Sequence, residues 1–339
     1  MQQTAGAAVL ARVEHDAPRR TAGTADPADR VFRGVTRTSA TAVLTVMGMV
    51  GVFLALRASE ALRKGGFAFL TTARWEPDAG RFGIAAVLVG TVLVGLIAIS
   101  VALPLATAAA LYISEYAPRR LQRGLISLVD LMAAVPSVVY GLWGFFLLQN
   151  HVAGFSRWLS TYLGWIPLFH VNGASPHDPL ATTAVYTSST FIAGIVVGLM
   201  VTPIVTSIMR EAFSQAPVGE REAAYALGAT RWGMIRAVVL PFGKGGMIGG
   251  TMLGLGRALG ETIAVYMIIS MVFGVQPHIL ESGTSTVSAL IANRYGEATH
   301  LGMSALMAAG LALFLMTLVV NFCAAAIVAR SRSGASTGD

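Results

Sequence analysis

The chain has 339 residues, of which 55% are hydrophobic and only 12% are charged. Soluble domains carry about twice that charged fraction, and the apolar residues here come in long uninterrupted runs. The composition therefore favours a membrane protein over one or two soluble domains. The formal net charge is +7. Because the basic residues fall mostly in short segments between apolar runs, this charge follows membrane topology and predicts no nucleic-acid partner.

Apolar runs of spanning length recur along the chain. A helix needs roughly 20 apolar residues to cross the hydrocarbon core of a bilayer. The runs that qualify predict an all-α integral membrane protein with six transmembrane helices. These predicted spans cover residues 39–56, 84–111, 125–148, 184–209, 246–273 and 301–329.

The distribution of lysine and arginine predicts the orientation of these spans. With the N-terminus in the cytoplasm, sixteen basic residues fall in inner segments and seven in outer loops. This bias is the one expected for N-in, C-in topology. We therefore predict a disordered cytoplasmic tail over residues 1–38, a transmembrane domain over 39–330 and a cytoplasmic C-terminal tail over 331–339.

Glycines in the fifth predicted span stand at regular spacing. Gly246, Gly250 and Gly254 are four residues apart, so they share one face of a helix. Small residues at this spacing let two membrane helices approach closely. The pattern predicts a crowded central helix.

Residues suited to catalysis or metal binding are sparse. Cys323 is the only cysteine, and no Cys/His cluster has metal-ligand spacing. No nucleophile–base pair or carboxylate constellation stands at a plausible site, so a membrane-bound hydrolase or transferase ranks last among the function classes. Gly243-Lys244-Gly245 is superficially similar to a phosphate loop, but the preceding spacing and the following Ser or Thr are missing. We expect neither enzyme activity nor a cofactor in this chain.

The connection between the fourth and fifth spans, residues 211–241, is the longest on the predicted cytoplasmic side. The stretch 220–227 (EREAAYAL) is good helix sequence, and Gly228 is a natural stop. Thr230 is placed to cap a second short helix, and Pro241 is expected to break the chain before the fifth span. We therefore predict two short helices bent at Gly228, which form a knob for a groove of a partner.

This connection also carries a family motif, formed by Glu222, Ala223, Ala224, Gly228, Leu240 and Pro241. In its spacing it resembles the EAA loop of permease subunits in bacterial ABC importers, with Val238 where family members usually have Ile. The resemblance implies the type I importer permease fold. It also implies that these residues form a coupling helix that fits a cleft of a separate ATPase. ATP and Mg²⁺ would then bind on that partner chain.

Three further segments are similar to one branch of these importers. Residues 111–118 (LYISEYAP), 134–144 (AVPSVVYGLWG) and 253–262 (LGLGRALGET) resemble PstC, the phosphate-importer permease family. The resemblance implies a multi-pass subunit of the bacterial inner membrane, embedded in lipid, that forms half of a phosphate pathway. The implied partners are a PstA-like permease, a PstB-like ATPase dimer and a PstS-like phosphate-binding protein.

Two charged residues lie inside the fifth predicted span. Arg257 and Glu261 are four residues apart, so on a helix they share a face. Intramembrane charges are costly and normally face a polar path or a partner. One hypothesis is that Arg257 offers a forked set of donors to a phosphate oxyanion while Glu261 holds the guanidinium. The alternative is a purely structural ion pair.

Two other transport functions remain open at this stage. A permease for another oxyanion, such as sulfate or molybdate, would keep the coupling loop and change the substrate. An ion-coupled secondary transporter would need paired, interrupted repeats with internal symmetry, and the sequence has no such repeats. The coupling loop indicates the energy source, whereas the substrate assignment depends on Arg257, Glu261 and their neighbours.

Overall fold

The computed structural model describes residues 27–172 and 183–332. Within these ranges the regular structure is helical, apart from an antiparallel ribbon of β1 (Trp75–Glu76) and β2 (Arg81–Phe82). The helices, numbered in chain order, are α1 (Pro27–Gly65), α2 (Ala68–Thr71), α3 (Ala85–Leu111), α4 (Arg119–Ala134), α5 (Ser137–Trp143), α6 (Gln149–Leu163), α7 (Thr190–Ser214), α8 (Val218–Ala226), α9 (Arg231–Met234), α10 (Leu240–Leu259), α11 (Ile263–Ile268), α12 (Val287–Arg294) and α13 (His300–Arg332).

Several of these helices are long and apolar enough to cross a membrane. In the described part of the chain there are five single candidates, Ala28–Gly65, Ala85–Tyr116, Thr190–Ser214, Arg231–Leu259 and His300–Ile327. A bent pair, α4 with α5 and α6, is the sixth if it counts as one span. The predicted all-α class with about six spans is confirmed.

The two ends of the chain are more helical than predicted. Helix α1 begins at Pro27, where a fixed φ and a missing N–H suit a first helical position. Residues 27–38 are therefore helical and not a disordered tail, while residues 1–26 lie outside the described residues. At the other end α13 runs to Arg332, and residues 333–339 are likewise not described. By contact clustering, the chain up to Val52 forms one unit and the chain from Phe53 onward a second.

The core of the second unit is built on close helix contacts at glycines. A Cβ on Gly198 would lie 2.8 Å from the Ala98 carbonyl oxygen, so α3 and α7 touch along their backbones. The predicted glycine face of α10 packs on α7 in the same way: Gly246 lies against Ala212, Gly250 against Ile208 and Gly254 against Val205. The predicted close approach of this helix is confirmed.

The third predicted span, 125–148, is broken and not continuous. Helices α4 and α5 are bent by 87° at a break before Ser137. Val135 has extended backbone (φ −65°, ψ 129°), because the ring of Pro136 disfavours a helical conformation for the residue before it. Helix α4 keeps no buried residue, and it belongs to a candidate span only as part of the bent pair with α5 and α6.

The fifth predicted span, 246–273, is shifted toward the N-terminus. One continuous helix runs from Arg231 to Leu259, so the predicted break at Pro241 is wrong. A π-helical turn, Ile235–Val239, precedes the proline, and the Leu240 N–H bonds to the Ile235 carbonyl. This wide turn lets the helix pass a residue that has no N–H of its own. After Leu259 only the short α11 is helical before α12.

Candidate functional site

The coupling loop begins where α7 ends and is shorter than predicted, because α7 extends to Ser214. Helix α8 then ends in a Schellman motif: the Gly228 N–H bonds to the Tyr225 carbonyl at 2.9 Å and the Ala229 N–H to the Ala224 carbonyl at 3.0 Å. Gly228 has φ +82°, a left-handed conformation that glycine adopts without steric cost. The predicted bend at Gly228 is confirmed.

The helix after the bend starts as predicted but does not stop. The Thr230 hydroxyl accepts a hydrogen bond from the Gly233 N–H at 3.1 Å, which is the predicted N-cap. The helix that begins there leads through the π turn into α10. The loop is therefore one short helix, α8, joined by a glycine hinge to the N-terminal end of a candidate span.

The motif residues divide into two groups by exposure. Glu222, Ala223 and Gly228 are exposed and are free to meet a partner. Ala224 and Leu240 are half-buried and pack on an apolar cluster that contains buried residues of α3, α7 and the π turn. Pro241 is exposed and lines a cavity of about 760 Å³ beside Arg210, Glu211 and Phe242.

The loop also exposes large apolar side chains that were not predicted as site residues. Leu227 is 90% exposed at the tip of the bend, and Tyr225 and Trp232 flank it at about half exposure. Apolar side chains grouped on a small exposed knob mark an interaction surface. Leu227 is a large apolar residue directly before the glycine that ends the helix, and this is the sequence signal that could have identified the tip.

One ion pair in this region was also missed by the sequence analysis. The Arg221 Nη1 donates to Glu115 Oε2 at 3.2 Å, and its Nη2 donates to the Phe213 carbonyl oxygen at 2.7 Å. The Glu115 side chain is only 5% exposed and that of Arg221 20%. The two partners are 106 residues apart, so no local pattern indicates that they meet.

Arg257 and Glu261 are not paired with each other. Helix α10 ends at Leu259, so the two residues do not share a helix face, and no ion pair joins them among those of the described residues. Arg257 is exposed in the last turn of α10. Glu261 Oε1 instead accepts the Ala264 N–H at 3.2 Å and so caps α11. The predicted mutual pair is wrong because the helix breaks between its two members.

The chain beyond this break is irregular, and its last residues before α12 are buried. Residues 269–286 contain no helix, and Thr284, Ser285 and Thr286 are buried with 2% exposure each. The Thr286 hydroxyl caps α12 by accepting the Ala289 N–H, and the Ser288 hydroxyl donates to the Glu261 carbonyl at 2.6 Å. Non-helical backbone at membrane depth is tolerated where protein or a water-filled cavity adjoins it, and residues 283–286 are buried by protein.

The two broken spans meet beside this region. Gly141 of α5 lies so close to α11 that an added Cβ would stand 2.9 Å from the Ala264 Cα. A cavity of about 440 Å³ opens next to this contact, lined by apolar residues of α5 and α11 together with Tyr266, Ser285 and Asn293. The site thus combines two broken spans that pack together, and the exposed Arg257 lies in the last helical turn before one of the breaks. No group of three or more His, Cys, Asp or Glu that could hold a metal occurs among the described residues.

Known proteins with a similar sequence belong to one class of transport permeases. A family model described as the inner membrane component of binding-protein-dependent transport systems matches residues 102–333. The phosphate transport system permease protein PstC 2 of Mycobacterium tuberculosis is 37% identical over 310 residues, which cover 90% of this chain and 93% of that protein. PstC of Xylella fastidiosa (strain 9a5c) is 36% identical over 294 residues, which cover 86% of this chain and 88% of that protein.

A solved structure supports the fold alone. A chain of the bacterial alginate ABC transporter, crystallised with its alginate-bound periplasmic protein, has a TM-score of 0.53 and 15% identity, covering 87% of this chain and 96% of its own. A permease of this kind is a multi-pass inner-membrane subunit that works with an ATPase and a binding protein. It is not itself an enzyme, because ATP hydrolysis lies on a separate chain. This chain therefore belongs to the binding-protein-dependent transport system inner membrane components, and within them to the PstC phosphate transport permeases.

Proposed function

We propose that this chain forms half of the translocation pathway of an ATP-driven phosphate importer and couples it to a separate ATPase. Its partners would be a PstA-like permease in a heterodimer, a PstB-like ATPase dimer and a PstS-like phosphate-binding protein. The exposed, unpaired guanidinium at a break in a membrane span carries the proposal, since it gives a permease of this family a site for an anion.

Arg257 has the chemistry that phosphate requires. Its side chain is exposed, and the described residues supply it no salt-bridge partner. An arginine at membrane depth is expensive unless a partner or a ligand balances its charge. A guanidinium presents a planar fork of donors that matches two phosphate oxygens. Arg257 would therefore contact phosphate as it crosses between the two permeases.

Glu261 would act on the pathway from the other side of the break. Its carboxylate caps α11 and its carbonyl accepts from Ser288, so it holds the irregular backbone next to Arg257. A negative charge close to the path would also keep phosphate from binding too tightly to the arginine. Glu261 thus serves both as a scaffold and as an electrostatic counterweight.

The coupling loop would lie in the cytoplasm, together with both termini. This orientation follows the excess of lysine and arginine in the inner segments. In this orientation, the residues that would face the ATPase are Glu222, Ala223, Gly228 and the protruding Leu227. The residues that would join the loop to the spans are Ala224, Leu240 and Pro241.

Uptake of labelled phosphate by liposomes tests the proposed substrate. The liposomes would hold the purified complex and enclosed ATP, and the phosphate-loaded binding protein would be supplied outside. We expect labelled phosphate to accumulate and excess sulfate or molybdate to compete poorly. If sulfate or molybdate is taken up in its place, the chain is a permease for another oxyanion, and the phosphate assignment fails.

A further inference from the structure

The cytoplasmic end of the second span is tied to the coupling helix. Helix α3 continues into a π-helical turn, Tyr112–Tyr116, which carries Glu115. The Arg221 guanidinium of α8 lies with Nη1 3.2 Å from Oε2 and Nη2 3.1 Å from Oε1 of this carboxylate. Nη1 donates a hydrogen bond to Oε2, whereas Oε1 lies beside the positive charge without a hydrogen bond. Because Glu115 is almost fully buried, this ion pair is far less screened than a surface ion pair.

The same arginine also holds the end of the fourth span. Its Nη2 donates to the carbonyl oxygen of Phe213, in the last turn of α7, where the helix dipole gives the carbonyls partial negative charge. This oxygen also accepts the N–H groups of Gln215 and Ala216. Arg221 therefore joins three elements at one point: the coupling helix, the end of α3 and the end of α7.

A second arginine reaches the same π turn from beyond the hinge. The guanidinium of Arg231 lies 5.2 Å from the ring centroid of Tyr116, within range of a cation–π contact. Arg221 precedes Gly228 in the chain and Arg231 follows it, so both sides of the hinge contact the end of the second span. A displacement of the knob therefore reaches α3 without passing through the chain connections to α7 and α10.

Helix α3 leads from this point to the candidate substrate site. Gly95 of α3 lies so close to α10 that an added Cβ would stand 2.7 Å from Leu259 and 3.4 Å from Leu255. These two leucines flank Arg257 in the sequence. Close-packed protein interiors transmit strain, so we expect a shift of α3 to reach the helix end that carries Arg257.

We propose that the Glu115–Arg221 ion pair transmits movement of the coupling helix to the second span, and through it to the helix break at Arg257. Both are positioning residues, and the proposal rests on the proposed coupling function. If the pair were only structural, its loss would lower stability and leave the number of phosphates carried per ATP unchanged. If it transmits force, that number falls.

A double-mutant cycle separates these two roles. Glu115→Gln, Arg221→Gln and the double variant would be purified with their partner subunits and assayed in liposomes for ATP hydrolysis and phosphate uptake. We expect each single variant to carry about tenfold less phosphate per ATP. The double variant should be no worse than the weaker single one, because both remove the same contact.

The chain offers a matched control in the exposed pair of Asp29 and Arg33, whose side chains are 53% and 63% exposed. Asp29→Asn removes an ion pair that is distinct from the Glu115–Arg221 contact and should leave the number of phosphates carried per ATP unchanged. The proposal is overturned if both single variants transport as many phosphates per ATP as the wild type, or if the two losses multiply in the double variant. If the wild-type complex shows no phosphate-dependent hydrolysis, the proposed function fails instead.

Breaking a buried pair can also prevent assembly, because it leaves one charge without a partner. If the charge-removing variants fail to assemble, Arg221→Lys is the variant to measure, since it keeps the positive charge beside Glu115. A single ammonium lacks the fork that reaches both Glu115 and the Phe213 carbonyl. We expect this variant to assemble with its partners and still lose phosphate carried per ATP; wild-type coupling in it would overturn the proposal.

Discussion

Arg221 and Arg257 differ in how their side chains are held, and we assign them to different parts of the transport mechanism: Arg221 to coupling and Arg257 to the substrate pathway. Arg221 is held by Glu115 and by the Phe213 carbonyl, and its side chain is 20% exposed. Arg257 is exposed at the end of α10, without an ion pair among the residues that the structure describes. An arginine with both ends of its fork occupied positions other elements, whereas one with its donors unused is available for a ligand.

The difference indicates which part of the chain each residue serves. Around Arg221 every contact joins one helix to another, as a junction that transmits movement requires. Around Arg257 the helix stops, and the nearby carboxylate of Glu261 is engaged in capping α11. If the two roles are distinct, substitutions at the hinge and at Arg257 should affect coupling and transport separately.

Replacing the hinge glycine should have the largest effect. Gly228 has φ +82°, and proline fixes φ near −65°, so Gly228→Pro cannot form the bend. We expect the subunit to insert and assemble while ATP hydrolysis stimulated by phosphate-loaded binding protein falls about 100-fold, to the basal rate. The assay is ATP hydrolysis by the purified complex in liposomes.

Gly219 provides the matched control for this change. It lies within α8, and nothing stands within 4 Å of a Cβ added to it. Gly219→Ala should leave stimulated hydrolysis at the wild-type level. Wild-type hydrolysis in Gly228→Pro would show that the bend is not needed for coupling.

Removing the unpaired charge should reduce transport without loss of assembly. A hydrogen bond to a charged group contributes about 1.5–3 kcal/mol, so Arg257→Gln should lower phosphate uptake by about 10- to 100-fold. Arg236, exposed in the same continuous helix, is the control, and Arg236→Gln should transport normally. If Arg257→Gln complexes fail to assemble, the charge has a structural role.

A packing change should lower stability and leave coupling intact. A Cβ on Gly246 would overlap the Cβ of Ala212, whereas nothing lies within 4 Å of one on Gly249. Overpacking costs about 1–3 kcal/mol, so Gly246→Ala should lower the melting temperature of the complex and Gly249→Ala should not. Phosphate carried per ATP should be unchanged in both. A loss of that ratio in Gly246→Ala would mean that packing damage alone mimics uncoupling.

Loss of the N-cap should have the smallest effect. Thr230→Ala removes the bond from the Gly233 N–H, at a cost of about 0.5–2 kcal/mol. We expect hydrogen exchange at the Gly233 amide to become about fivefold faster, with transport close to normal. Thr230→Ser keeps the hydroxyl and should keep the Gly233 amide as protected as in the wild type. If this amide exchanges at the wild-type rate in Thr230→Ala, the cap is not formed.

Local signals explain what could be predicted from the sequence. The Gly228 bend and the Thr230 cap depend on residues within three or four positions of each other, and both were correctly predicted. The apolar runs likewise located four spanning helices, the first, second, fourth and sixth, closely enough to identify the class. These features follow from backbone conformation and hydrophobic length, which neighbouring residues determine.

The errors arose where distant contacts or unusual turns decide the structure. Pro136 is expected to be tolerated inside a span, but the chain bends there by 87°, since the proline ring keeps Val135 in an extended conformation. Pro241 was treated as a break, but a π turn carries the helix past it. Assuming one helix from 246 to 273 led to the wrong pairing of Arg257 with Glu261. The contact of Arg221 with Glu115 spans 106 residues, beyond the range of local patterns.

ATP hydrolysis and phosphate uptake, measured together in liposomes that hold the complete complex, test the central claim most directly. We predict that phosphate-loaded binding protein stimulates hydrolysis and that phosphate accumulates in proportion to the ATP consumed. Omitting the ATPase subunit should abolish uptake. Phosphate uptake that continues without that subunit, driven by an ion gradient, would contradict the account and identify a secondary transporter.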